Sequence, residues 1–167
     1  GYHALINNST CGQQVAVGVR ALQHNTGGTV QQNTAVGYEA GRHIKHGEKN
    51  SLVGYRVMGS WLAPDNSNYR NAMLGVECAV NCIDVNDCVC VGYRAGYALV
   101  GANKHIMIGS FAGTNTTSGT TNTVYSVGSV MIGYGASGGQ YTNHNNQIIL
   151  GYQAVGQADN AVTLGNA

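Results

Sequence analysis

The sequence predicts an all-β fold, a parallel β-solenoid built from short strands. Three observations carry this. A glycine, most often followed by tyrosine, recurs from end to end at Gly1, Gly18, Gly37, Gly54, Gly75, Gly92, Gly109, Gly133, Gly151 and Gly165. A largely apolar triplet precedes all of these glycines but the first. No window carries a helical period. The intervals run from 14 to 24 residues, and a motif at such a spacing marks a chain of stacked supersecondary units.

Each coil is read outward from its glycine. The residues one and three before it, such as Val15 and Val17 or Ile106 and Ile108, share one strand face. The residue two before it lies on the other face: Ala16, Ala35, Leu52, Met73, Cys90, Met107, Met131, Ile149 and Thr163. Both faces are apolar, so both require cover. One fills the coil's own core. The second, represented by Leu52, Met73, Cys90, Met107, Met131 and Ile149, is the expected contact with a neighbouring chain.

Past the glycine, tyrosine stands first in six motifs (Tyr2, Tyr38, Tyr55, Tyr93, Tyr134, Tyr152) and a small residue third, as in Ala21, Ala40, Cys78 and Ala95. This alternation predicts a second short strand in every coil. Between them runs Arg20, Glu39, Arg56, Glu77, Arg94, a ladder of alternating charge if the coils stack in register. Ten motif glycines imply about ten coils. The shortest interval, 14 residues, is the bare coil, and the excess elsewhere leaves as loops, chiefly 59–70 and 113–128.

Composition narrows the function classes. Charged residues make up 9% and the formal net charge is +1, so there is no basic field for nucleic acid. Gly (25) and Asn (18) supply turn chemistry, with a single proline, Pro64. No apolar run is long enough to insert in a membrane. Five cysteines, an odd number, fit reduced thiols better than a disulfide framework. Cys78, Cys82, Cys88 and Cys90 form no Cys-x-x-Cys pair. Cys78 and Cys90 fall in core columns, where a thiol is a small apolar filler. His43 and His46 sit in a charged loop. No cofactor, metal or catalytic constellation is expected. Glu39 and Glu77, two coils apart, are the nearest approach to a carboxylate pair, and an arginine lies between them.

The stretch Asn33-Thr34-Ala35-Val36-Gly37-Tyr38-Glu39-Ala40-Gly41 resembles the head repeat of YadA-like trimeric adhesins, as do Asn50–Tyr55 and Asn160–Gly165. The resemblance covers nearly the whole chain. It implies a left-handed parallel β-roll with three rolls packed about one axis, intertwined or side by side, as a homotrimer. The same repeat occurs in bacteriophage tail fibres. Long insertions and five cysteines favour that setting over a bacterial adhesin head.

Both ends fall within a motif, so residues 1–167 are read as one repeat domain cut from a longer fibre chain. The resulting expectation is a non-enzymatic, receptor-binding segment of a virion tail fibre. Its partners would be two further copies, other tail proteins, and a host surface glycan or protein. The alternatives are a bacterial trimeric autotransporter adhesin head on the cell surface, or a glycan-cleaving tailspike. A repeating core is committed to packing, so recognition is placed in the loops, at Trp61, Tyr69, Arg70, Asn115, Thr116, Thr117 and Tyr125.

Overall fold

The computed structural model describes residues 1–8, 12–27, 31–59, 67–114, 127–139 and 145–165. They form a parallel β-solenoid, with no helix among the described residues. Nine three-residue strands stack in chain order into one sheet: β1 (Val15–Val17), β2 (Thr34–Val36), β3 (Ser51–Val53), β4 (Ala72–Leu74), β5 (Val89–Val91), β6 (Ile106–Ile108), β7 (Val130–Ile132), β8 (Ile148–Leu150) and β9 (Val162–Leu164). Every pair is parallel and in the register of the sequence columns: Ala16 opposite Ala35, Leu52 opposite Met73, Cys90 opposite Met107. Gly18 and Gly37 therefore stand on adjacent coils. At ~4.8 Å per step the nine strands climb on the order of 38 Å. Nine strands, and no strand at the Gly1 motif, are seen among the described residues, so the expectation of about ten coils is finer than what is seen.

The glycine column marks the corner. Gly54 has φ of +134°, and a Cβ there would run into the carbonyl of Gly75 on the next coil. Both conformation and proximity demand glycine. Beyond it the expected second strand does not form. Arg20, Glu39, Arg56, Glu77 and Arg94 all have φ between 52° and 57°, and Leu22, Met58 and Ala79 between 45° and 52°. Left-handed backbone at every second residue makes a turn, and a strand cannot be built from it. The turn is still laddered coil to coil. Glu39 donates its N–H to Val19 O (2.9 Å), and Gly41 donates to Val57 O (2.8 Å). A further wall is held by single parallel bridges, Glu48 to Tyr69, Tyr69 to Asn86, Asn86 to Asn103 and Asn103 to Val127.

The burial of the strands corrects the choice of faces. The middle residues Leu52, Met73, Cys90, Met107, Met131 and Ile149 are 0–2% exposed within a single chain. They pack with the small column Ala21, Ala40, Cys78, Ala95, Ala112 and Ala136 to fill the coil. They cannot meet a neighbouring chain. The flanking residues do point outward: Val17, Val53, Leu74, Ile108, Ile132 and Leu164 are all exposed. The interior of the coil takes Ala, Leu, Met, Cys and Ile opposite the small column, and the flanking Val, Ile and Leu side chains lie on its outer surface.

A largely polar spine runs beside this core, four residues before the motif glycines from Gly37 to Gly151. Asn33 Oδ1 accepts the N–H of Asn50 (3.0 Å), Asn50 Oδ1 that of Asn71 (3.1 Å), and Asn71 Oδ1 that of Cys88 (3.0 Å). The relay continues through Cys88 Sγ to His105 N, His105 Nδ1 to Ser129 N, and Ser129 Oγ to Gln147 N. Each asparagine amide also donates to a carbonyl on the opposite wall at 2.7 Å: Asn33 to Gly47, Asn50 to Asn68, Asn71 to Val85. These side chains are buried, and the spine satisfies the backbone groups that a coil corner would otherwise orphan.

Candidate functional site

Two surfaces stand out. The first is the outer apolar face. Eighteen large apolar side chains in the columns three before, one before and one after the glycine are exposed, among them Val15, Tyr38, Tyr55, Leu74, Ile108, Tyr134 and Leu164. With each about half exposed, this face is on the order of 1,000 Å², more than the ~300–600 Å² of the largest apolar patch on a typical monomer. It holds no charged side chain.

The second is the charged ladder, which forms as expected. Glu39 is nearly buried and lies between Arg20 (3.1 Å), Arg42 (2.8 Å) and Arg56 (3.6 Å). Arg56 also reaches Glu77 (3.6 Å), which Arg94 binds at 2.7 Å. Arg56 thus sits between the two carboxylates and is shared by both.

The loop residues fare unevenly. Tyr69 and Arg70 belong to the coil wall, a correction to their placement in a free loop. Tyr69 bridges Glu48 and Asn86, and Arg70 forms a two-point ion pair with Asp87 on the next coil, at 2.6 and 2.9 Å. That bond holds the Asp87 carboxyl below its usual range. Trp61, Asn115, Thr116, Thr117 and Tyr125 lie outside the described residues.

Cys78, Cys82, Cys88 and Cys90 are buried free thiols. Burial pushes Cys88 up to about 11 and Cys82 well above the usual range, while the hydrogen bond from Cys78 and then burial raise Cys90. Cys82, Cys88 and Cys90 are thus held as protonated packing groups. No cluster of three or more metal-ligating side chains occurs among the described residues. His43 is stacked on His24, ring centroids 4.8 Å apart, and burial followed by the Arg42 charge lowers it to about 4. Its partner in that stack was not singled out by the sequence, although both histidines stand six residues after a motif glycine.

No protein-family model, curated protein or solved structure matches the chain.

Proposed function

We propose that the chain is a non-enzymatic, self-assembling rod segment of a trimeric fibre, and that the fibre is a bacteriophage tail fibre used for host attachment. The observation that carries the assembly is the outer strand face. Its columns run the length of the stack without a charge, and they leave Val53, Leu74, Ile108 and Ile132 half in water. A cover must be equally apolar, equally long and matched to a ~4.8 Å rise. A second copy of the same face meets all three conditions. Burying it would return ~25 cal/mol for each Å² removed from water.

The number three, the left hand of the roll and the tail-fibre setting come from the resemblance of Asn33–Gly41 and its repeats to YadA-like heads. Long insertions and cysteines favour the virion over the bacterial surface. A spacer role follows from the uniform rod, and receptor contact from whatever interrupts it. Light scattering on the purified chain tests the reading. A mass of three chains supports it, and a folded single chain at micromolar concentration contradicts it.

A further inference from the structure

The outer apolar face is bordered on each side by a column of corner residues, and both columns carry charge. The column two after the glycine is the ladder described above. The column five before it holds Lys49, Arg70, Asp87 and Lys104 on four successive coils. All four have φ between 57° and 62°, so the chain turns here as it does after the glycine. Their side chains run from coil to coil along the outside. Gln32 donates to Gln13 (2.9 Å), Asn146 to Asn160 (2.8 Å), and Arg70 holds Asp87 at 2.6 and 2.9 Å.

From the Gly54 coil to the Gly109 coil, the first edge reads Lys49, Arg70, Asp87, Lys104 and the second Arg56, Glu77, Arg94 and the uncharged Phe111. The signs are opposite at the two middle coils. The four side chains there keep surface for another partner: Arg70 is 55% exposed, Asp87 35%, Arg94 38% and Glu77 17%. In the assembly proposed above, copies are related by rotation about an axis parallel to the rod. Such a rotation brings the first edge of one copy to the second edge of the next and leaves every coil at its own height. Level coils set Arg70 against Glu77 and Asp87 against Arg94, with one like pair, Lys49 and Arg56. Arg56 already lies between Glu39 and Glu77. A slip of one coil one way gives one opposite pair, Lys49 and Glu77, and one like pair, Arg70 and Arg94. A slip the other way gives one opposite pair, Lys49 and Glu39, and three like pairs. Level alignment is the best of the three.

We propose that the two charged edges are the register key of the assembly: Arg70 pairs with Glu77 of the next copy, and Asp87 with Arg94 of the next copy. The apolar face repeats at every coil, so it grips almost as well when slipped by one. It supplies adhesion and does not fix height. The edges do not repeat, and they make one alignment better than its neighbours. Each cross-chain pair joins a bridge already formed inside a chain, giving a four-membered cluster of alternating sign at the rim of the apolar contact. This deepens the proposed function and rests on it for the rotational arrangement.

Exchanging charges within one edge tests the pairing, because the bridge inside the chain survives. Arg70→Asp with Asp87→Arg keeps opposite charges at those two positions and reverses their relation to the next copy. Sedimentation at low salt is expected to show association weakened about tenfold. The difference closes in 1 M salt, where the screening length is about 3 Å. Adding Glu77→Arg with Arg94→Glu restores opposite signs across the edges, and association recovers. That second exchange also sets a guanidinium against Arg56, so melting is recorded for each variant, and a cross-link provides a separate readout. Arg70→Cys with Glu77→Cys, mildly oxidised, joins chains covalently on a denaturing gel without reductant, and Arg70→Cys alone does not. Unchanged association by the folded first exchange, no recovery by the folded double exchange, or no cross-link overturns the pairing and leaves the apolar assembly standing. A parent that remains a single chain overturns the fibre reading and the pairing with it.

Discussion

Asn50 Oδ1 accepts both the backbone N–H and the side-chain N–H of Asn71, at 3.1 and 3.0 Å, while its own amide donates to Asn68 O at 2.7 Å. One buried side chain thus serves three groups on Asn68 and Asn71, and its amide also donates to Asn33 Oδ1 on the preceding coil at 3.0 Å. Asn50→Ala leaves two of those partners buried in the wall with nothing to replace it, at ~1–3 kcal/mol each. The expected loss is about 3–5 kcal/mol in a urea or thermal melt. A loss below 1 kcal/mol would show that water takes over the asparagine's role.

The glycine corner is tested by a matched pair. Gly54→Ala forces a Cβ into left-handed backbone and into the Gly75 carbonyl, so it is expected to cost more than ~3 kcal/mol or to prevent folding. Gly12 has no heavy atom within 4 Å of the added Cβ, and Gly12→Ala is expected to fall within ~0.5 kcal/mol of the parent. Circular dichroism melts of the two variants compare them directly.

The spacing of the glycines carried most of the fold. Once Gly18, Gly37 and Gly54 are aligned, register, parallel pairing and the charge ladder follow, because a one-residue slip would move every column to the wrong face. The inside of the coil was not legible. Asn33, Asn50 and Asn71 share a strand side with Ala35, Leu52 and Met73, and a polar residue ordinarily marks the solvent side. Here it marks the interior, since the asparagines bond to one another and to the opposite wall. The second strand was misjudged for a related reason. The alternation Tyr38, Glu39, Ala40 has period two whether the backbone is extended or alternates in the sign of φ.

Glu39 is the centre of the charged ladder. Glu39→Gln removes its charge from Arg20, Arg42 and Arg56, and Glu39→Arg adds a fourth cation to them. Two of these arginines are more than a third exposed, so solvent reduces each pair to ~0–1 kcal/mol, with more from the buried side of the carboxylate. Glu39→Gln is expected to lower the melting temperature by a few degrees and Glu39→Arg by clearly more, the gap narrowing in high salt. Equal shifts would remove electrostatics from the account.

His43 makes stability depend on pH. Its folded value is lowered to about 4 and that of His24 is also lowered, in both cases by burial first and Arg42 second. Between about 4 and the unfolded value near 6.5 the unfolded chain binds more protons than the folded one. The stabilisation is complete above pH 6.5 and is lost as pH falls toward 4. Melting temperature should decline from pH 7 to pH 4.5, and His43→Gln should flatten that decline. An identical slope in the variant would assign the effect to other groups.

The central claim is that the flanks of each strand, and not its middle, are the assembly face. Sedimentation equilibrium on two triple variants tests this most directly. Val53→Lys, Ile108→Lys and Ile132→Lys together replace outward side chains, while Leu52→Lys, Met107→Lys and Met131→Lys replace inward ones. The account predicts that the outward variant sediments as single chains where the parent sediments as three, and that the inward variant fails to fold because it buries unpaired ammonium groups. An outward variant that still sediments as three chains, or an inward variant that folds and sediments alone, would contradict it.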